Sequence, residues 1–300
     1  MLREKFDYSA YLNAKRAIDD RSLNPDVWSA MAHWVALQQP SGPLRVLEIG
    51  AGIGTMIERW LESTLATHCL YTALEREAGF ADDARKKLAR WCRENAYGFD
   101  ENGTCWRLEN RDTVFEIRWV CEDAFNIANL FESSAFDLVL GHAVIDLLPV
   151  PLFLPDLLRL LTSQGAFYFS INYAGETVFT PALESDVEIL SAYHRDMDNR
   201  FPELEWRPSH TGSLLGGWLE AQGHVVAAQG PSDWKIHPGS GRIEDRIFMG
   251  NILDTIETAL TPMPELNEWL SLRRHQLAAG KLGLRASNRD CFGHVNRPII

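Results

Sequence analysis

The stretch VLEIGAGIGT, residues 46–55, decides the fold expected for this 300-residue chain. An apolar run, Leu44–Ile49, ends in three alternating glycines, and helical character follows over residues 55–66. A short apolar run that ends in glycine is typical of a buried parallel strand turning into a helix. Open α/β sheets bind their ligands at the carboxyl ends of such strands, so the turn predicts a ligand site.

Glycine serves this turn because it adopts unusual backbone angles and lets a ligand lie against the main chain. The spacing is G-x-G-x-G, and Thr55 stands where a dinucleotide fingerprint needs its last glycine. Glu48 precedes the glycines, and its carboxylate would repel a pyrophosphate but tolerate a cation. A tight strand–helix turn without a ligand is the alternative interpretation.

Two further strand ends carry suitable polar groups. Glu75 ends the second strand candidate, and a carboxylate there can accept hydrogen bonds from a ribose diol. Asp123 follows the third strand, where it can accept from an adenine amino group while Phe125 flanks the ring. The alternatives are a solvated charge for Glu75 and a helix N-cap for Asp123.

Strands alternate with helices from residue 44 to residue 171, which predicts an α/β fold with a doubly wound, mostly parallel sheet. The fourth strand ends at Gly141 and His142, and the fifth is expected over residues 166–171. Asn172 and Tyr173 follow it directly and are expected to line the crevice. Residues 229–241, rich in Gly, Pro and Ser, are interpreted as a loop.

Composition limits the classes of partner. The chain has 29 Lys and Arg against 41 Asp and Glu, a formal net charge of −12. This balance argues against nucleic-acid binding, which needs clustered positive charge. Five scattered cysteines without a C-x-x-C pair indicate a reducing, cytoplasmic location. No signal-peptide core and no run of about 20 apolar residues is found, so no membrane partner is expected.

These strand-end groups, taken together, resemble the class I S-adenosylmethionine-dependent methyltransferases over residues 44–172. Residues 46–54 match the first motif of that family, Glu75 its ribose-binding acid, and residues 121–125 its adenine motif. The resemblance implies a Rossmann-like sheet of seven strands, a helical N-terminal cap, a late helical insertion and S-adenosyl-L-methionine as cofactor. The chain lacks the Asn-Pro-Pro-Tyr-type tetrapeptide of DNA base methylation and a catechol-type metal set, so no metal is expected.

The resemblance also implies a role for each matching residue. The donor would be held by the residues at the four strand ends, namely Glu48, Gly50, Ala51, Gly52, Gly54, Thr55, Glu75, Arg76, Asp123, Ala124, Phe125, Gly141 and His142. Glu48 would lie near the ammonium of the donor and Glu75 would take the ribose hydroxyls. Gly141 and His142 would lie close to the sulfonium.

Four segments are predicted along the chain. They are an N-terminal helical cap over residues 1–43, the donor-binding half of the sheet over 44–171, a substrate-covering insertion over 172–222, and the helices and strands that complete the sheet over 223–300.

His142 is the candidate catalytic residue, because an imidazole titrates near neutrality and can take a proton from the acceptor. A contact to the donor or a purely structural role are the alternatives. Candidates for the substrate pocket are Tyr11 in the cap, Asn172 and Tyr173 after the fifth strand, and His194 in the insertion. His194 also fits a surface helix position, and Tyr173 simple packing.

Methylation of a small-molecule acceptor by in-line transfer is the function expected from these features. Other hypotheses are an NAD(P)-dependent oxidoreductase, a protein or RNA methyltransferase, and a non-catalytic S-adenosylmethionine-binding protein. A homodimer is compatible with the sequence. The sequence names neither the acceptor nor the atom that receives the methyl group.

Overall fold

The computed structural model describes residues 8–38 and 42–296. The ends of the predicted cap and tail, residues 1–7, 39–41 and 297–300, lie outside the described residues. Ten helices are assigned in this part of the chain: α1 (Tyr8–Ser22), α2 (Pro25–Gln38), α3 (Thr55–Glu62), α4 (Ala78–Glu94), α5 (Ile127–Leu130), α6 (Val150–Arg159), α7 (Asp186–Asp198), α8 (Thr211–Ala221), α9 (Ile243–Leu260) and α10 (Leu266–Ala278).

Ten strands form one sheet over the same residues. They are β1 (Leu44–Ile49), β2 (His68–Glu75), β3 (Gly98–Asn102), β4 (Cys105–Glu109), β5 (Val114–Cys121), β6 (Phe136–His142), β7 (Leu161–Thr180), β8 (Val225–Pro231), β9 (Trp234–Ile236) and β10 (Gly283–His294). The order is β3-β4-β5-β2-β1-β6-β7-β10-β8, and β9 pairs with β10.

The predicted doubly wound α/β fold is confirmed. Strands β5, β2, β1, β6 and β7 run parallel, while β10 is antiparallel to β7 and to β8. These seven strands correspond to the seven that were expected. The added strands β3 and β4 extend one edge as an antiparallel pair, so the parallel character is confined to the centre of the sheet.

Alternating side chains of β1 supply the two faces of the core. Val46 packs with Tyr71 and Tyr168 on the face covered by α2, α3 and α4. Leu47 packs on the opposite face, which α6 and α8 cover. Because successive side chains of a strand point to opposite faces, the adjacent apolar residues Val46 and Leu47 require helices on both sides of the sheet.

A third core lies beyond the carboxyl edge of the parallel strands. It joins Ile18 of α1, Ile189 of α7, Phe248 of α9 and Trp269 of α10. Tyr11 of α1 stacks on Phe248 at a ring-centroid distance of 6.0 Å. Helices from both ends of the sequence therefore form one layer above the sheet. The boundaries of the four segments expected from the sequence remain predictions.

Two expectations need correction. Asn172 and Tyr173 do not follow a strand that ends at residue 171, because β7 continues to Thr180 and pairs with β10 along most of its length. Residues 229–241 are not simply a loop, since they contain the end of β8 and all of β9. In both places pairing with β10, a strand distant in sequence, extends the regular structure. Among the described residues, no helix combines the length with the apolar character that crossing a bilayer requires.

Candidate functional site

A cavity of about 840 Å³ opens at the carboxyl ends of β1, β2, β5, β6 and β7. Part of its wall is formed by the glycine turn and the neighbouring strand ends. Other parts come from α1, α4, α7, α9, β9, β10 and the distal half of β7. Side chains from both ends of the sequence meet there. The cavity lies within the volume range of about 300–1,000 Å³ that is usual for small-molecule sites.

The glycine turn has the backbone that only glycine adopts readily. Gly50, Gly52 and Gly54 have φ angles of 63°, 55° and 73°, in the left-handed region. A side chain on Gly50 would also come within 2.8 Å of Val144 Cγ2. Helix α1 closes in from above, because Leu12 Cδ1 lies 3.5 Å from the position of a Cβ on Gly52.

Glu75 fastens the glycine turn to the end of β2. Its Oε2 accepts a hydrogen bond from Gly52 N at 2.8 Å, and its Oε1 accepts one from Glu77 N at 2.9 Å. The Leu74 carbonyl accepts from Ala51 N at 3.1 Å. A carboxylate oxygen has two lone pairs, so each oxygen of Glu75 can still accept a hydroxyl from a ligand.

Glu48 is a carboxyl group buried in the wall of the cavity, with 2% of its surface exposed. The Tyr71 hydroxyl donates a hydrogen bond to Glu48 Oε2 at 2.8 Å. Burial raises the pKa of Glu48 to about 8, although this hydrogen bond and the Arg59 charge oppose the rise. The group is therefore mostly protonated at neutral pH, and a cation placed beside it would favour the ionised form.

Asp123 and Phe125 stand at the end of β5. Asp123 Oδ1 accepts a hydrogen bond from Phe125 N at 2.9 Å, so Asp123 caps the short 3₁₀ turn Ala124–Asn126, as one interpretation expected. Phe125 is 56% exposed and meets the Phe153 ring edge-on at 6.2 Å. An exposed aromatic ring at a cavity wall is well placed to stack on a planar ligand.

His142 has partners on both ring nitrogens. Its Nδ1 lies 2.8 Å from Ser170 Oγ, and its Nε2 lies 3.0 Å from Asp19 Oδ2. Burial lowers the pKa of His142 to about 4, and the Arg59 charge adds to that effect. The imidazole is therefore neutral near pH 7. Donation from Nε2–H to the Asp19 carboxylate leaves Nδ1 to accept from Ser170.

Asp19 connects His142 to helix α1 and to β9. The Lys15 ammonium donates to Asp19 Oδ2, and Trp234 Nε1 donates to Oδ1 at 2.8 Å. Burial raises the pKa of Asp19, but the Lys15 charge and the His142 hydrogen bond outweigh it and hold the pKa well below its usual range. This buried network fixes α1 over the cavity.

Two strained residues flank His142 in the cavity wall. Ala143 and Ile171 have φ angles of 52° and 55°. Positive φ is rare for a β-branched residue and is associated with functional sites. The strain is held by hydrogen bonds, from Ala143 N to the Ser170 carbonyl at 2.8 Å and from Ile171 N to Asp290 Oδ1 at 2.7 Å.

Most of the residues predicted from the sequence meet in this one cavity. Those in its wall are Tyr11, Glu48, Gly50, Ala51, Gly52, Thr55, Glu75, Arg76, Asp123, Ala124, Phe125, His142 and Tyr173. Four others lie behind the wall, namely Gly54, Gly141, Asn172 and His194. Gly141 makes room for Ile145, since a Cβ there would lie 2.8 Å from Ile145 Cδ1. His194 Nε2 lies 2.6 Å from the Tyr173 hydroxyl.

Sequence reasoning missed Lys15, Asp19, Asp146, Ile171 and Trp234, which also line the cavity. Tyr11, Lys15 and Asp19 are spaced four residues apart, so they share one face of α1. That spacing was the available signal for the two missed residues of α1. Across the described residues, no group of three His, Cys, Asp or Glu side chains is arranged to hold a metal ion.

Comparison with known proteins gives a family and a fold. The family model "Putative S-adenosyl-L-methionine-dependent methyltransferase" matches residues 28–219. No curated protein matches the chain. Among solved structures, a "putative methyltransferase" from Bacillus halodurans is 14% identical, covers 90% of this chain and 99% of its own, and has a TM-score of 0.50, which shows a shared fold.

Two further structures are S-adenosylmethionine-dependent methyltransferases in complex with S-adenosyl-L-homocysteine. The one from Thiobacillus denitrificans is 14% identical, covers 94% of this chain and 96% of its own, and has a TM-score of 0.48. The one from Geobacter sulfurreducens is 12% identical, covers 92% of each chain, and has a TM-score of 0.47.

Proposed function

Since the chain belongs to a family of S-adenosyl-L-methionine-dependent methyltransferases, we propose that it transfers the methyl group of this donor to a small-molecule acceptor. The observation that carries the proposal is the single cavity in which the glycine turn and the wall formed by α1, α7 and α9 meet. Its size suits two small ligands side by side. The family favours a sulfonium donor over a nicotinamide dinucleotide.

The residues at the strand ends fit the donor. Glu48 is a buried carboxyl that suits an ammonium group, and the remaining lone pairs of Glu75 suit ribose hydroxyls. Asp123, Ala124 and Phe125 suit the adenine, with Phe125 packing on its face. The donor supplies an already activated methyl group. The protein therefore has to align the acceptor with the methyl group, exclude water and accept any proton that the acceptor loses.

We propose a positioning role for His142. Both of its ring nitrogens are bonded within the protein, and a base whose conjugate acid has a pKa of about 4 is weak at neutral pH. The ring instead holds Asp19, and with it α1, against the end of β6. That His142 takes the acceptor's proton stays a prediction. The cytoplasmic location and the homodimer also remain predictions.

Calorimetric titration with S-adenosyl-L-homocysteine tests donor binding. We expect saturable binding that Phe125→Ala weakens by about 2- to 10-fold, the usual worth of an aromatic stacking contact. Leu152→Ala is the matched control, because Leu152 is 61% exposed and lies outside the cavity wall. Absence of binding to the unmodified protein would refute the proposal.

Incubation with labelled donor tests the class of acceptor. The protein is mixed separately with the low-molecular-mass fraction and the protein fraction of a cell extract. We expect label in the low-molecular-mass fraction, in a compound whose mass increases by one methyl group. Label confined to the protein fraction would identify a protein methyltransferase instead.

A further inference from the structure

Asp146 is a carboxylate in the cavity wall that the proposed donor site does not use. It lies in the 3₁₀ turn Ile145–Leu147, directly after β6 and His142. The backbone amides of Tyr173 and of Asp146 itself stabilise its charge, and the cations of Arg200 and Lys15 act on it from farther away. Within the described residues, Asp146 forms no ion pair with a Lys, Arg or His side chain.

Other charged groups of this part of the wall are already neutralised or exposed. Lys15 is paired with Asp19, and its ammonium lies 5.2 Å from the centroid of the Trp234 ring. Arg200, just after α7, is exposed to solvent. Asp146, half-buried in this part of the cavity wall, is thus a carboxylate without an ion-pair partner, and such a charge favours a cation.

Aromatic and aliphatic side chains line the same cavity as this carboxylate. Tyr173 and Tyr193 line the cavity, and both phenols lie close enough to Asp146 to be affected by its charge. Aromatic rings attract cations through their electron-rich faces. Ile171, Met197 and Ile256 add apolar surface that suits a hydrocarbon body.

We propose that the acceptor is an apolar amine whose ammonium group binds Asp146 in the part of the cavity that Tyr173 and Tyr193 also line. This inference rests on the proposed function, because it names the acceptor of the same reaction. The ammonium gives one proton to the Asp146 carboxylate and becomes a neutral amine. The amine lone pair then forms the new bond to the methyl carbon, while the carbon–sulfur bond breaks and its electron pair stays on sulfur.

The Asp146 environment suits this proton transfer. Burial raises the pKa of Asp146 above its ordinary value, although the two backbone amides and the Arg200 charge oppose the rise. A carboxylate with a raised pKa is a stronger base than an exposed one. The product leaves as a methylated ammonium, and Asp146 returns its proton to solvent.

The test compares three probes of one shape and different charge, 2-phenylethylammonium, 2-phenylethanol and phenylacetate. Each is titrated by calorimetry at pH 7 into protein saturated with S-adenosyl-L-homocysteine. We expect the ammonium to bind about tenfold more tightly than the alcohol, and phenylacetate to bind most weakly. Asp146→Asn should abolish the preference for the ammonium while leaving the affinity for S-adenosyl-L-homocysteine unchanged, which also shows that the variant is folded.

Asp156→Asn is the matched control, because Asp156 is exposed on α6 outside the cavity wall and its replacement should leave all affinities unchanged. Equal or tighter binding of the alcohol or of phenylacetate would overturn the inference. So would the absence of binding by all three probes to protein that does bind S-adenosyl-L-homocysteine. Failure of the protein to bind S-adenosyl-L-homocysteine would refute the proposed function. The titration with S-adenosyl-L-homocysteine, done before the probes are added, separates that result from a failure of the inference about Asp146.

Discussion

Gly50 is the residue at which the site tolerates a side chain least. Its φ of 63° costs an L-residue about 1–2 kcal/mol, and a Cβ would come within 2.8 Å of Val144. We expect Gly50→Ala to lower the free energy of unfolding by about 2–4 kcal/mol and to weaken binding of S-adenosyl-L-homocysteine. Urea denaturation and calorimetry measure the two effects.

Gly217 provides the matched control for this substitution. It lies inside α8, and a Cβ there would meet no atom within 4 Å. Gly217→Ala should raise the free energy of unfolding by about 0.5–1 kcal/mol, because alanine favours a helix interior. If the two variants lost equal stability, the special role assigned to the backbone at Gly50 would be refuted.

Buried polar contacts of Asp19 help to hold helix α1 over the cavity, besides the apolar packing of Ile18 and Tyr11. Asp19 accepts from Lys15, His142 and Trp234, which belong to three different elements. We expect Asp19→Asn to cost about 3–5 kcal/mol in urea denaturation, because it leaves the buried Lys15 ammonium without a counter-ion. Asp82→Asn should cost less than about 1 kcal/mol, since its ion pair with Arg85 is on the surface. A loss for Asp19→Asn as small as that of the control would contradict the structure.

The sequence predicted the elements that carry a local pattern. The glycine turn, Glu75 and Asp123 follow strands that are apolar enough to be recognised, and all three appear where expected. The length of β7 and the existence of β9 depend on pairing with β10, which is distant in sequence and leaves no local signal. The role of Asp19 was hidden for the same reason, because its partners Lys15, His142 and Trp234 come together only in the fold.

The whole molecule carries an excess of negative charge, which suits the positive ligands that we propose for its cavity. Its formal net charge of −12 attracts cations over a longer range than any single contact. A sulfonium donor and an ammonium acceptor are both cationic, so the same field would favour the approach of each. Inside the cavity, Glu48 lies in β1 and Asp146 lies in the turn after β6. Each carboxyl group would therefore balance the charge of one of the two cations at its own place.

Two of the buried groups, Glu48 and His142, contribute to the dependence of global stability on pH. Glu48 has a pKa raised from 4.5 to about 8, so the folded state holds its proton more tightly and stability falls as pH rises between these values. His142 has a pKa lowered from 6.5 to about 4, so stability falls as pH decreases between those values. From pH 4.5 to 6.5 the two effects oppose each other. Above pH 6.5 the contribution of His142 fades as the unfolded imidazole loses its proton, and the effect of Glu48 remains.

We therefore expect the free energy of unfolding to fall by about 1–2 kcal/mol between pH 6.5 and 8, as measured by urea denaturation. Glu48→Gln should remove this decline, because glutamine does not titrate. Saturation with S-adenosyl-L-homocysteine should also reduce it, since an ammonium beside Glu48 favours the ionised carboxylate that the free protein resists. If Glu48→Gln declined as steeply as the unmodified protein, the fall would belong to another group. If the ligand left the slope unchanged, its ammonium would not lie beside Glu48.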